Sequence, residues 1–488
     1  MKHAVLALAL VVGCSGGHHG PRTPSPPEAA RDYSATRWIP ARPTYAIGAR
    51  TVRDAQRTLR DLVESFGMIV QADAGDLAAA LSAVLAVDPL SPEAVTGIGV
   101  DLEGGFAMFS EGVNPTFVVH LASADQMRGF LDQQRANPGF KVQSQIVDGN
   151  ELYSANVSRK VKLSWAIVGD WMWLHVALDK EDGVGWFTAS VHPGAPTWGA
   201  DWQWAAGSVG SGAPVLGIVD MRALMNVVTA YAPSGASACA RMLAPVSRVA
   251  IAIEGDGKHA GGRLAIDIGP AAAAALAHVA LPPPEGWAQV APRAALAVQW
   301  NVDVFAARGW AGACLGPLAR QLAALDDYGV RAGRALVLAF DPDGMTGQGA
   351  ASLELANKKY FASLLDKIPL RSTMEKKRTF GPYAGKTLSV PFGPTLDYVL
   401  TDTVALAGMG DGVLASVVGK GPAASGPLVA IDVAPPVLAK EVWIKGLEIV
   451  NAPQAAWLAE HLVRWRDGHV ALSLDGTRLV LEASGNRR

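Results

Sequence analysis

The feature that most constrains this chain's fold is that its sequence repeats. Leu121–Asp132 (LASADQMRGFLD) aligns without a gap on Leu355–Asp366 (LANKKYFASLLD). Each stretch follows a strand-like run, Thr116–His120 or Ala351–Glu354, and each places a capping residue, Ser123 or Asn357, ahead of a helix. Apolar residues then fall at helical spacing: Met127, Phe130 and Leu131 in one copy, Phe361, Leu364 and Leu365 in the other. Downstream, Gly149–Ser154 parallels Gly385–Ser389, and Ala166–Leu174 parallels Tyr398–Leu406 as strand, tight turn around Asp170 or Asp402, strand. Ala213–Asp220 and Gly426–Asp432 match with one gap, each a strand leading into a helix. Both copies close on a hairpin whose Asp-Gly pair, Asp256-Gly257 or Asp475-Gly476, supplies the positive φ that a tight turn requires. At the start, Thr44–Ile47 corresponds to Ala295–Trp300, and Thr51 with Asp54 forms a variant capping box for a helix with an Ala55, Leu59, Leu62, Val63, Phe66 stripe.

These matches predict an α+β protein of two homologous lobes, each an antiparallel sheet with helices on one face. The expected boundaries are lobe 1 at 43–268, a linker with an Ala-rich helix and Pro282-Pro283-Pro284 at 269–291, and lobe 2 at 292–488.

The N-terminus fixes an address. Lys2 is a short positive region, and Ala4–Val12 is an apolar run of about nine residues, too short to span a bilayer. Val11-Val12-Gly13-Cys14 resembles the bacterial lipobox, which implies cleavage after residue 13 and acylation of the Cys14 thiol. Anchoring by two or more acyl chains is stable where one chain is not. An ordinary signal peptide with an incidental cysteine is the competing reading. Residues 14–42 read as the lipidated cysteine and a Pro/Gly/Ser-rich tether. Ser15, rather than Asp, follows Cys14, which by analogy with the enteric sorting rule favours the outer membrane facing the periplasm over the inner membrane. Lipobox, tether and duplicated body together resemble large bacterial envelope lipoproteins of unknown function, a resemblance that implies location and carries over no catalytic residue.

Composition narrows the function. A net charge of −2 without a long basic run argues against nucleic acid as a partner. With Cys14 lipidated, Cys239 and Cys314 remain, and two thiols in an oxidising compartment invite a disulfide; two separately buried thiols are the alternative. No Cys-x-x-Cys or His-Glu-x-x-His predicts a metal site, and no dinucleotide fingerprint, P-loop or Gly-x-Ser-x-Gly predicts a cofactor or a catalytic serine. Gly207–Gly212 reads as a flexible loop, Asp341-Pro342-Asp343-Gly344 as a hairpin turn, and Asp467-Gly468 as a turn flanked by His461 and His469.

One anomaly points to binding. Of 14 Trp, half lie between Trp165 and Trp204. Trp171 and Trp173 share a strand face, while Trp198, Trp202 and Trp204 sit in a Gly-flanked, loop-like segment. Tryptophan clusters line grooves for sugars, lipids or proteins, and they also build cores. The expectation is a non-catalytic, membrane-anchored lipoprotein that binds a lipid, a glycan or a partner protein, with Trp171, Trp173, Trp198, Trp202 and Trp204 as candidate contacts. A structural or assembly lipoprotein acting by protein contacts only, and an envelope hydrolase, are the alternatives.

Overall fold

The computed structural model describes residues 33–488 except 41, 71–81, 83–85, 113, 137–140, 157–160, 178–182, 192–197, 211, 232–243, 283–293, 304–328, 344–345, 368–373, 390–393, 419–425, 450–456, 458–459 and 461. The signal segment, Cys14, residues 15–32 of the expected tether, Cys239 and Cys314 therefore lie outside the described residues, whereas Tyr33–Ile39, expected within the tether, are described and packed, with Tyr33, Ala35, Thr36 and Ile39 buried. What is described falls into two compact units, one within Met1–Ala236 and Val246–Asp267, the other within Ser237–Pro245 and Ile268–Arg488.

In the first unit the strands are β1 (Tyr45–Ala49), β2 (Phe106–Ser110), β3 (Thr116–His120), β4 (Val142–Val147), β5 (Asn150–Asn156), β6 (Lys162–Val168), β7 (Trp171–Ala177), β8 (Val215–Asp220), β9 (Arg248–Gly255) and β10 (His259–Asp267). They pair antiparallel in the order β4–β5–β6–β7–β3–β2–β1–β8–β9–β10. A 3-10 turn at Ser34–Trp38 precedes them, and the helices are α1 (Val52–Val70), α2 (Pro92–Gly97), α3 (Ala124–Arg135), α4 (Gly183–Val191), α5 (Trp198–Val209) and α6 (Met221–Tyr231). The predicted caps form: Thr51 Oγ1 accepts from the Asp54 amide at 3.0 Å, and Ser123 Oγ from the Gln126 amide at 3.3 Å.

The second unit opens with α7 (Gly269–Val279). Its strands are β11 (Leu296–Asn301), β12 (Val330–Asp343), β13 (Thr346–Leu355), β14 (Glu375–Phe380), β15 (Tyr383–Ser389), β16 (Thr395–Leu400), β17 (Val404–Met409), β18 (Val429–Val433), β19 (Trp465–Asp475) and β20 (Arg478–Arg487). Their order is β14–β15–β16–β17–β13–β12–β11–β18–β19–β20, again antiparallel. Helices α8 (Lys358–Leu365), α9 (Val413–Val417), α10 (Pro435–Leu438) and α11 (Glu441–Ile449) complete it. Asn357 Oδ1 caps α8 by accepting from the Tyr360 amide at 3.0 Å.

The expected α+β class of two homologous lobes, each with helices on one face, is overturned. Strand makes up 46 % of the structure against 30 % helix, and the architecture is predominantly antiparallel β. Nor are the helices confined to one face. In the first unit Met172, Leu174 and Val176 of β7 pack with α3, whereas Trp173, on the other face, meets Phe187 of α4. The common strand order is a topological equivalence, and it does not make the chain a two-lobe α+β duplication. Strands buried on both faces carry continuous apolar runs, a pattern that buried helices share.

Three local expectations also fail. The expected Gly207–Gly212 loop fails over Gly207–Val209, which lie inside α5, while Gly210 and Gly212 are not helical, and Trp198–Trp204 are helical rather than loop. Asp467-Gly468 lies within β19 and is no turn. Its neighbour His469 stands directly across from Asp432 on β18, with Nδ1 2.6 Å from the carboxylate. That hydrogen bond raises the His469 pKa above its ordinary value, outweighing partial burial, with the negative charges of Asp432 and Glu482 adding to it. A raised folded pKa stabilises below the unfolded value near 6.5 and ceases to do so as pH rises through the folded pKa. The unfolding midpoint is thus expected to fall as pH rises across that window, and Asp432→Asn to flatten the fall. Thermal scans over a pH series check this; equal slopes in both proteins would remove the pair as the source.

Candidate functional site

The tryptophans gather into packing layers. Trp173 is wholly enclosed at 0 % exposure, edge-on to Trp38 at 4.8 Å between ring centroids and to Phe187 at 6.3 Å. Trp171, also buried, meets Trp38 at 6.1 Å and His120 at 4.9 Å, with the Arg37 guanidinium 4.9 Å above its ring. Trp202, 1 % exposed, lies on β1, where its ring comes within 3.2 Å, and Thr36 Cγ2 within 2.8 Å, of the position a Cβ on Gly48 would take, so the bare glycine eases this close packing. Trp204 is partly exposed, with Arg248 stacked on it at 4.1 Å, and Arg248 in turn pairs with Asp201 at 2.6 Å. The Trp198 side chain is outside the described set. Of the candidate contacts, Trp171, Trp173 and Trp202 therefore have almost no surface to offer a ligand.

Among the described residues, the second unit holds open space. Beneath α8 is a cavity of about 100 Å³, lined by Ala351, Leu353, Phe361, Leu365, Leu388, Leu396, Tyr398, Leu400, Ala405, Leu406 and Ala407. Tyr398 is the polar side chain in this lining, and its hydroxyl donates to Glu375, which also takes Lys386 Nζ at 2.6 Å. What remains is apolar wall.

Strand register explains why the space exists. Leu121 and Leu355 are equivalent positions: each lies two residues before a helix N-cap, and each donates its amide to the turn before the neighbouring strand, at Asp170 O (2.8 Å) and Thr403 O (2.7 Å). From these anchors, Val119 pairs with Met172 as Leu353 pairs with Ala405, and Phe117 pairs with Leu174 as Ala351 pairs with Ala407. Alanines 351, 405 and 407 thus stand where the first unit carries Phe117, Met172 and Leu174. Met172 and Leu174 help close the equivalent space under α3, together with Met127, Leu163 and Trp165. Larger side chains at Phe361 and Leu388, in place of Met127 and Ala155, only partly offset the loss.

An unfilled apolar cavity of this size costs about 2 kcal/mol, at roughly 24 cal/mol per Å³. Its chemistry suits a small apolar group or the end of an alkyl chain, since an apolar cavity excludes water and accepts such ligands. Among the described residues no cluster of three His, Cys, Asp or Glu is placed to hold a metal ion, and no helix is long and apolar enough to cross a membrane.

Sequence reasoning missed this site. Aligning Ala166–Leu174 on Tyr398–Leu406 sets Trp171 against Thr403 and Trp173 against Ala405; the register sets them against Val404 and Leu406. A shift of one residue moves every side chain to the opposite face, so the large-to-small exchanges stay hidden.

No known family profile matches the chain, and no curated protein is significantly similar to it. Solved structures of TP0453 in crystal forms I, III and IV resemble it at 8 % identity over 48 to 49 % of this chain and 79 to 82 % of that one, with TM-scores of 0.28 to 0.29. Overlap of that quality supports no statement about this chain.

Proposed function

We propose that this chain is a lipid-anchored, non-catalytic envelope protein whose second unit takes up an apolar group, the end of a lipid acyl chain, in the cavity beneath α8. The lipobox-like Val11-Val12-Gly13-Cys14 supports the anchor, and Ser15 supports the outer membrane facing the periplasm. The observation that carries the binding role is the cavity, apolar on nearly every side and kept open by Ala351, Ala405 and Ala407. A glycan is the poorer fit, because its hydroxyls need polar partners that this lining does not offer. The test is native mass spectrometry with solvent extraction on residues 15–488, produced without the anchor in a bacterial periplasm. A copurifying species of lipid mass, released by organic solvent, is the expected result. A ligand-free mass that remains unchanged after incubation with phospholipid or fatty acid would remove the proposal.

A further inference from the structure

Among the described residues, the outer strand of the first unit presents an unpaired edge: β4 pairs with β5 alone. Its sequence Val142-Gln143-Ser144-Gln145-Ile146-Val147 carries no charge, and Gln143 to Ile146 are all exposed, Ile146 at 71 %. The equivalent strand of the second unit, β14, pairs with β15 alone among the described residues and carries Lys376, Lys377 and Arg378. Lysine and arginine are the usual means of blunting an exposed edge against further pairing, so the chain protects one edge and leaves the other open.

The turn fixes which groups of β4 are unpaired. Asp148 and Gly149 have φ of 50° and 78°, the left-handed pair of a two-residue hairpin, and Val147 lies opposite Asn150. The closing pair of such a hairpin exchanges both backbone hydrogen bonds, and bonded pairs alternate along the ladder. Val147, Gln145 and Gln143 therefore bond to β5, and the N–H and C=O groups of Val142, Ser144 and Ile146 point outward.

The strand also complements itself. An antiparallel copy centred on Ser144 sets Ser144 against Ser144, Gln143 against Gln145 and Val142 against Ile146. Every outward-pointing residue then meets another outward-pointing residue, giving about six backbone hydrogen bonds across a two-fold axis. The same operation brings Ile146 beside Val142 of the second copy and Gln beside Gln, without opposing like charges. We propose that β4 is a homodimer interface, in which two copies of this chain join edge to edge about Ser144 and continue the sheet from one molecule into the next.

The test uses the full chain, processed in a bacterial envelope and extracted in detergent. Because Ser144 meets its own counterpart in a bonded pair, with Cα atoms about 5.5 Å apart and within disulfide reach, Ser144→Cys should give a covalent dimer on oxidation. Lys377→Cys on β14 should yield no more cross-linked dimer than the unaltered chain. Ile146→Lys replaces a side chain that is mostly in solvent, so the fold should persist, while native mass spectrometry should show dimerisation weakened by about tenfold or more. A monomeric mass at every concentration, with no Ser144→Cys dimer, would overturn the proposal. So would a dimer indifferent to Ile146→Lys and not captured at position 144.

Discussion

Trp173→Ala is expected to cost the first unit about 3–5 kcal/mol, the loss typical of a fully buried aromatic side chain. Its ring has no exposure and is wedged edge-on between Trp38 and Phe187, so truncation leaves a void among rigid aromatics that cannot collapse into it. The indole N–H has no hydrogen-bond partner among the described residues. Trp173→Phe therefore deletes an unsatisfied donor along with part of the ring, and it should cost much less than alanine. Denaturant unfolding followed by tryptophan fluorescence measures both variants. If Trp173→Ala moved the midpoint no further than a surface substitution, the packed tryptophan layer would not be the core of this unit in solution.

The paired substitution Ala405→Met with Ala407→Leu is expected to close the cavity in the second unit. These are the side chains that the first unit carries at the equivalent positions, Met172 and Leu174, under a helix capped in the same way. Apolar-ligand binding should fall by about tenfold or more, a change of about 1.4 kcal/mol. Stability should rise by up to about 2 kcal/mol where the new side chains reach unstrained rotamers, and the gain shrinks where they overpack. Titration with a fluorescent fatty acid, alongside thermal unfolding, separates the two effects. Unchanged affinity in a folded double variant would place the ligand elsewhere; lower affinity with lower stability would indicate overpacking and would call for the single substitutions.

Some of this was legible in the sequence because it is local. The caps at Thr51, Ser123 and Asn357 depend on one side chain and an amide three residues on, and all three form. The hairpin turns at Gly257 and Gly476 were legible because each glycine takes a positive φ, 84° and 58°, that other residues rarely adopt, while the preceding Asp stands before the bend. The helical Trp198–Trp204 segment was not legible: its glycines suggest a loop, and packing on β8 and β9 outweighs that weak propensity. Nor was the balance of strand over helix, since apolar runs of four to eight residues fit either state until their partners are known.

The sequence alone determined the repeat of local signals, the cap positions and some of the turns, the absence of a recognisable catalytic motif, and a lipobox-like start that makes the membrane address an expectation. Only the tertiary structure decided that helices cover both faces of the strands, that Trp171 and Trp173 turn inward, and that Ala351, Ala405 and Ala407 share one cavity. It also decided that, among the described residues, β4 pairs with β5 alone. The reason is register: side chains alternate along a strand, so one residue of slip reverses every face, and hydrogen bonding between strands distant in sequence settles that slip.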